Sequence, residues 1–580
     1  MALTITENTF QSWDGANLFY RSWTAESKAQ KALILFHRGH EHSGRWQDVI
    51  DKLDLPGFAV FAWDARGHGK SPGERGDAES FGAMVKDADT FVRHIVSTYG
   101  IDYADIAVLA HSVGSVLAST WIHDFAPPVR ALVLGSPALR IRLYVPFAIP
   151  GLRLLQKTRG NFFISSYVKG RLLTHDPQKQ ESYDNDPLVT PNISVRILLG
   201  VHDAATRLLS DSGAITVPTL MLTSGADFVV KQSAQQAFFE GLRSRRKQRE
   251  TFAGFFHDTF NERDSHLPIA RAREFILDAF SRDHEPETLL EADRYGYTRE
   301  EFDRLRLPLS PLSLKGLGFS ITKYLMKTVG RLSRGIGVGW ETGFDSGTML
   351  DYVYRNEAQG VTPLGRLMDR MYLDSPGWKG IRQRKVNLEK HLGRCIEKVL
   401  SKDGEARIAD IATGHGRYVL DAIKAHEGKA VSALLRDYSD LNISSGRALA
   451  ADMGLGTVTY EIADAFDQEV VASLGNTPNI AIVSGLYELF PDNAPIRDSL
   501  AGLAQAVQPG GYLIYTNQPW HPQLEFIARV LSSHRGGQDW VMRRRTQQEM
   551  DQLVADAGFE KFDMDIDEDG IFSVSVARRV

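Results

Sequence analysis

The stretch Ile106–Ser115, IAVLAHSVGS, decides how the first half of the chain is read. An apolar run breaks at His111, Ser112, Val113 and Gly114, then becomes apolar again at Val116 and Leu117. This is the pattern of a buried strand turning into a helix. So sharp a turn requires small residues two positions to either side of the serine, and Ala110 and Gly114 meet that need. Ser112 is then either a nucleophile or a turn serine. A serine hydroxyl is a poor nucleophile without a base, and an imidazole acts as that base when a carboxylate fixes its tautomer. The choice therefore rests on what the rest of the chain supplies.

Both partners follow Ser112 in sequence. TVPTLMLTSGADFVV reads as a buried strand ending in a turn that offers Asp227, and AGFFHDTFNE, about thirty residues on, offers His257. Taken singly, Asp227 is a turn residue and His257 a loop histidine. Together, at successive strand ends and in the order Ser, Asp, His, they form a candidate catalytic set. Upstream, ALILFH leads into RGHEHSGRW, FAVFAWD into ARGHGKSPGERG, and a helix is expected over Phe81–Thr98. Alternating strands and helices predict a parallel sheet whose loops at the carboxyl ends of the strands build sites.

FHRGHEHSGRW, WDARGHGKSPGERG, AHSVGS, LLTHDPQKQESYDNDPLV, SGADFVV and FFHDTFNE together resemble the monoglyceride lipase and lysophospholipase branch of the serine aminopeptidase-like α/β-hydrolases, over roughly Thr9 to Phe280. The resemblance implies Ser112 as nucleophile, His257 as general base and then acid, and Asp227 as its orienter. It also implies an oxyanion hole from the backbone N–H groups of Gly39 and Val113. One departure stands beside that hole: the family's His-Gly-x-Gly is here His37, Arg38, Gly39, His40. The plainer reading turns Arg38 and His40 to solvent; the alternative sets one of them against an anionic head group. Asp64, His68 and His111 read as loop architecture. Between Pro137 and Asp211 the strand and helix rhythm lapses into apolar segments such as RLYVPFAIPGLRLLQ, a cap over the site suited to an acyl chain.

A second alternation begins near Arg407. ARIADIATGHGRYVLDAIKAH is a strand, a loop with Gly414 and Gly416, and a helix, the arrangement that lets a cofactor approach the backbone. The next strand ends in Asp437, placed to accept ribose hydroxyls. NAD is disfavoured because Val419 stands where the dinucleotide fingerprint has its third glycine. YEIADAFD puts Asp464 and Ala465 after a third strand, where an acidic side chain can meet an adenine amino group. With VQPGGYLIYTN, TQQEMDQLVADAGFEKF and IFSVSVARR, these segments resemble the class I S-adenosylmethionine-dependent methyltransferases, from roughly Phe344 to Val580. The resemblance assigns Asp410, Gly414, Gly416, Asp437 and Asp464 to S-adenosyl-L-methionine. SGLYELF sits nearer the transferred methyl and makes Tyr487 and Glu488 acceptor-side candidates, whereas NQPW (Asn517–Trp520) is set aside.

The 580 residues thus divide into a hydrolase domain at 1–281 with its cap near 138–211, a linker at 282–343, and a Rossmann-like class I methyltransferase at 344–580. The expected fold class is α/β in both halves. The linker holds SLKGLGFSITKYLMKTVGRLSRGIGVGW (Ser313–Trp340), which has no acidic residue. Read as a helix, it sets Ile321, Leu325, Val329 and Leu332 on one face and Lys323, Lys327, Arg331 and Arg334 on another. Such a helix is either a connector or a peripheral contact with an anionic membrane surface. The formal net charge of −5 argues against a nucleic-acid partner, and the single cysteine, Cys395, excludes a cysteine zinc cluster and fits a reducing, cytoplasmic compartment. No metal is expected. The function read from the sequence is a serine hydrolase of small lipid esters, monoacylglycerol or lysophospholipid, fused to a methyltransferase. The alternatives are a thioesterase or peptidase first half, and a second half that binds without catalysing.

Overall fold

In the first unit, Met1–Glu287, the strands are β1 (Thr4–Gln11), β2 (Asn17–Thr24), β3 (Lys31–Phe36), β4 (Phe58–Trp63), β5 (Ile106–His111), β6 (Ala131–Gly135), β7 (Phe163–Ser165), β8 (Asn192–Ser194), β9 (Thr219–Ser224) and β10 (Lys247–Phe252). The computed structural model describes residues 3–25, 29–475, 477–534 and 536–580. Eight strands form one sheet in the order β1-β2-β4-β3-β5-β6-β9-β10, parallel from β4 to β10. β2 joins β4 antiparallel and carries β1 at the edge. Because helices cover both faces of a parallel sheet, its central strands must be apolar on both sides, and every residue of β5 is buried.

Chain order reverses between β3 and β5, leaving a crevice where the loops after both strands diverge. β5 ends at His111 and the helix α1 (Val113–Phe125) starts at once, so Ser112 alone makes the turn, at φ 54° and ψ −114°. A non-glycine residue holds that conformation only when its surroundings fix it. Here its N–H donates to the Gly135 carbonyl at 2.8 Å, and its own carbonyl accepts the Ala138 N–H at 3.1 Å. Gly114 lets α1 lie against the end of β3, since a Cβ there would stand 2.4 Å from the His37 carbonyl oxygen and 2.5 Å from that of Phe36. Between β6 and β9 the chain leaves the sheet for the helices Ala148–Arg159, Pro177–Asp184 and Val195–Asp211 and the β7–β8 ribbon.

The second unit, Thr288–Val580, contains β11 (Ala406–Asp410), β12 (Val431–Asp437), β13 (Val458–Ile462), β14 (Ile480–Val483), β15 (Tyr512–Asn517), β16 (Phe559–Ile566) and β17 (Ser573–Arg579). Their order is β13-β12-β11-β14-β15-β17-β16, with β17 antiparallel to both neighbours. This is the Rossmann-like class I methyltransferase sheet, and its order reverses between β11 and β14.

Two expectations about the middle of the chain need correction. Residues 282–343 are not a linker, because from Thr288 onward they belong to the second unit. Leu305 and Val338 are buried with Phe344 and Met349 in one apolar cluster, against which Phe319 and Met326 also pack. The charged composition that suggested a linker hid these inward positions. Nor is Ser313–Trp340 one helix. Helix α2 (Leu314–Lys327) stops at Thr328 (φ −105°, ψ −87°), a 3-10 turn covers Val329–Leu332, and a new helix, Arg334–Thr342, begins under the Ser333 cap. Ile321 and Leu325 share α2, but Val329 and Leu332 do not continue it. Lys323 also pairs with Asp539 at 2.7 Å and Lys315 with Glu525 at 2.7 Å. Beyond these lies helix α3 (Pro363–Leu373). Among the described residues, no helix is long and apolar enough to cross a membrane.

The packing of α1 on β3 makes a specific prediction. Alanine replacing glycine inside a helix ordinarily stabilises by about 1 kcal/mol. Gly114→Ala should instead destabilise by about 1–3 kcal/mol, because the new methyl group overlaps main-chain oxygens that cannot move away freely. Thermal melting of the full-length variant checks the sign; a raised melting temperature would contradict the packing described.

Candidate active sites

Three loops of the first unit bring the expected residues together. Ser112 lies at the turn after β5, Asp227 just beyond β9, and His257 on the loop after β10. The Ser112 hydroxyl is 2.8 Å from His257 Nε2, and His257 Nδ1 is 2.8 Å from Asp227 Oδ2. All three are buried. Asp227 Oδ1 accepts the N–H groups of Val229 (2.7 Å) and Val230 (2.9 Å), which leaves Oδ2 aimed at the imidazole. Burial alone would raise the Asp227 carboxyl, but the neighbouring His257 and these N–H donors outweigh it and hold the group below its ordinary value. A carboxylate so held keeps the Nδ1–H tautomer of His257, whose Nε2 can then take the serine proton.

Gly39, on the loop after β3, and Val113 are neighbours: a Cβ at Gly39 would lie 3.2 Å from Val113 Cγ2. Both line, with Ser112 and His257, a cavity of about 120 Å³ whose remaining wall includes Leu143, Ile164 and Val168 from the cap region. An ester carbonyl there meets apolar surroundings, in which N–H dipoles act strongly.

Arg38 does not turn to solvent. Arg38 is buried, donates to Glu41 Oε1 at 2.7 Å, pairs with Asp258 Oδ2 at 3.0 Å, and lies over the Tyr183 ring. Burial opposes its charge, but Asp258 and Glu41 more than compensate and raise its pKa. Burial pushes His40 down to about 4 and His68 to about 3, so neither carries a charge at neutral pH. The sequence concealed this arrangement because Asp258 is remote from Arg38 along the chain. His111 and Asp64 are structural, as expected: His111 Nε2–H donates to the His257 carbonyl at 3.2 Å, and Asp64 accepts the N–H groups of Ser43 and Lys70. Arg38 therefore holds Asp258, the residue next to His257, while His111 holds His257 itself.

In the second unit the loops after β11 and β12 meet. Asp437 Oδ2 accepts the Gly414 N–H at 2.9 Å, and its Oδ1 accepts from Ser439 N–H (2.9 Å) and the Asn442 amide (3.0 Å). Gly414 has φ 59° with no atom within 4 Å of a Cβ, so the loop has open space above it. Gly416 differs, since a Cβ there would strike Leu435 at 2.8 Å and crowd Tyr460, making its role packing. Asp410 is fully buried, accepts from Ala412 N–H (3.2 Å) and Tyr418 O–H (2.5 Å), and is pushed up to about 7 by burial. Asp464 is exposed and caps the Phe466 N–H at 2.9 Å, beside the buried Ala465. Clearance at Gly414 and acceptors at adjacent strand ends suit a ribose-bearing cofactor.

The two acceptor-side candidates lie in different surroundings. Tyr487 is buried in the core, with its hydroxyl 2.8 Å from Ser499 Oγ. Glu488 instead lines a cavity of about 370 Å³ together with Arg384, Gln518, His521 and Trp540. Gln518 belongs to the set-aside NQPW segment. Its only signal in the sequence was its place after β15, the strand beside β14.

A family model described as "putative methyltransferase" matches residues 272–579, just over half the chain. The chain belongs to this methyltransferase family. A second model, serine aminopeptidase S33, matches residues 27–264. The first half is accordingly a lipase-like α/β-hydrolase. Over 575 residues the chain is 48% identical to the Escherichia coli uncharacterized protein YnbC, covering 99% of this chain and 98% of that protein. Its hydrolase half is 24% identical to a monoacylglycerol lipase of Mycolicibacterium smegmatis over 281 residues, 47% of this chain and 98% of the lipase. It is 28% identical to the Mus musculus monoglyceride lipase over 255 residues, 42% of this chain and 80% of that enzyme.

The Arg38 network yields a test. Replacing Arg38 by Gln leaves the buried Asp258 without its arginine and Glu41 with Arg45 alone, and should destabilise by about 3–5 kcal/mol. Glu41 is held below its ordinary value: burial opposes this, but Arg38 and Arg45 prevail. Its contribution is thus present above the unfolded carboxylate pKa and lost as pH falls through the depressed folded value. The difference between wild type and Arg38→Gln in urea unfolding should therefore narrow in acid; a pH-independent difference would contradict the network.

Proposed function

We propose that the protein is bifunctional: a serine hydrolase of single-chain lipid esters joined to an S-adenosylmethionine-dependent methyltransferase. The observation that carries the first activity is the hydrogen-bonded chain Ser112–His257–Asp227, with 2.8 Å at each link. Ser112 Oγ attacks the ester carbonyl carbon while His257 Nε2 takes its proton. The N–H groups of Gly39 and Val113 receive the developing oxyanion. When the carbonyl re-forms, His257 gives the proton to the departing alcohol, and water repeats the sequence to free the fatty acid and regenerate Ser112.

Among the cavity-lining residues, Arg38 is engaged by two carboxylates and His40 and His68 are uncharged, so no free cation awaits a phosphate. This favours monoacylglycerol over lysophospholipid. The apolar cavity wall suits an acyl chain better than a peptide.

For the second activity, the Gly414 loop and Asp437 bind the cofactor, with Asp437 accepting a ribose hydroxyl through the lone pair of Oδ2 that its loop contacts leave free. S-adenosyl-L-methionine supplies an electrophilic methyl group when bound. In this reading Glu488, which lines the neighbouring cavity, accepts the proton an acceptor releases.

Ser112→Ala and His257→Ala should each lower ester hydrolysis by about 10⁴-fold or more, and Asp227→Asn somewhat less, because such residues act as a unit. Full-rate hydrolysis by Ser112→Ala would refute the assignment. In calorimetry with S-adenosylmethionine, Asp437→Ala should weaken binding by about 1–3 kcal/mol. If the wild-type protein shows no binding heat, the methyltransferase reading is wrong.

A further inference from the structure

We propose that the cavity of the second unit takes a single-chain lipid with an uncharged hydroxyl head, drawn from an anionic lipid surface on which α2 and α3 rest. The inference builds on the methyl-transfer reading by naming its acceptor class.

The cavity begins beside the cofactor loop. Ile482 of β14 is paired in register with Asp410 of β11, so the turn at Gly485, which lines the cavity, follows the strand next to the Gly414 loop. The wall is largely apolar and includes Met326, Met368, Met371 and Met542, side chains that adapt to a flexible ligand. Its volume lies within the range of small-molecule sites.

Four residues in this wall are more than nine-tenths buried and each has a polar atom without a hydrogen-bond partner: Arg384 Nε, Glu488 Oε2, Gln518 Nε2 and Trp540 Nε1. Leaving such buried groups unpaired is costly, so together they point to a ligand that pairs with them. With Arg384 ion-paired to Glu488, the Glu488 acceptor and the two uncharged donors, Gln518 and Trp540, are the complement of a hydroxyl group, which offers one O–H and two lone pairs. A fatty carboxylate would meet Glu488 with like charge. An ammonium would add a second cation beside Arg384, whose Nη1 already lies 3.5 Å from Glu488 Oε1. Glu488 Oε1 also accepts the Thr516 hydroxyl at 2.9 Å, which holds the carboxylate in place. In the reaction, the hydroxyl oxygen bonds the methyl carbon as the carbon–sulfur bond breaks with its electron pair passing to sulfur, and Glu488 takes the hydroxyl proton.

The route in is marked by the outer faces of the two helices that send methionines into the wall. Met371 lines the cavity yet is 69% exposed, so the cavity reaches the surface at α3. Around it α3 exposes Leu364 and Leu367, while α2, which contributes Met326, exposes Leu314, Leu317, Ile321, Tyr324 and Leu325. Leu314 is 91% exposed. Large apolar side chains so exposed on two helices at a cavity mouth mark an interaction surface. Charge indicates which one: Ser313–Trp340 has no acidic residue, and Lys327, Arg331 and the nearby Arg366 are exposed. An apolar face with basic flanks is suited to the interface of an anionic lipid layer.

The test uses the full-length protein. In flotation with phosphatidylglycerol vesicles the wild type should bind, and the triple variant Leu317→Glu, Ile321→Glu, Leu364→Glu should lose binding by about tenfold or more. A dibrominated long-chain alcohol in solution should quench tryptophan fluorescence. That quenching should disappear in Trp378→Phe/Trp540→Phe, require about tenfold more alcohol in Glu488→Gln, and be weaker with the matching brominated fatty acid. Failure of the wild type to float, equal flotation of the triple variant, or quenching indifferent to these cavity changes would overturn the proposal. Calorimetry with S-adenosylmethionine on the same samples separates the two readings: lipid binding without cofactor binding would sink methyl transfer and leave the lipid site standing.

Discussion

A parallel strand must be carried back across a face of the sheet before its neighbour can be laid down, so the loops leaving its carboxyl ends collect along one edge. Where successive crossovers go to opposite sides of the first strand, two of those loops part and leave a crevice. The chain meets this constraint twice. In the first unit the crevice lies between β3 and β5, and it receives Gly39 from one loop and Ser112 from the other. In the second it lies between β11 and β14, with Gly414 on one side and Gly485 on the other.

What each unit places in its crevice differs in kind. The hydrolase unit holds one residue in an unusual backbone conformation and surrounds it with hydrogen-bonded and ion-paired groups. The Ser112 main chain is bonded in both directions, Asp227 accepts two N–H groups besides His257, and Arg38 is matched by Glu41 and Asp258. Such a site is preorganised, requiring little rearrangement when an ester enters. The second unit leaves buried groups unsatisfied at Glu488, Gln518 and Trp540, as a site does whose hydrogen bonds are completed by its ligand.

The sequence revealed what local pattern controls. Ser112, Asp227 and His257 each follow a strand or turn recognisable from apolar runs and small residues, and their order fixed their grouping before any distance was known. The Gly414 loop and Asp437 were legible for the same reason. What depends on direction was not. Tyr487 and Glu488 are adjacent in a 3-10 turn, and only packing shows that the tyrosine enters the core while the carboxylate faces the cavity. Arg38 looked like a surface residue because its partner Asp258 becomes a neighbour only after folding. The basic segment has the spacing of one long helix, yet Thr328 and Gly330 interrupt it and Lys323 is paired with Asp539. Its cations are therefore fewer than the pattern suggested, and its exposed leucines matter more.

The account's central claim is that one chain carries two working sites, both directed at lipids. Incubating the protein with a mixed lipid extract and methyl-labelled S-adenosylmethionine, then following fatty-acid release and label in the same sample, tests it directly. The account predicts free fatty acid together with label in a neutral lipid that carried a hydroxyl group. Fatty-acid release with no label in any lipid would contradict it, leaving a hydrolase whose second half does something else.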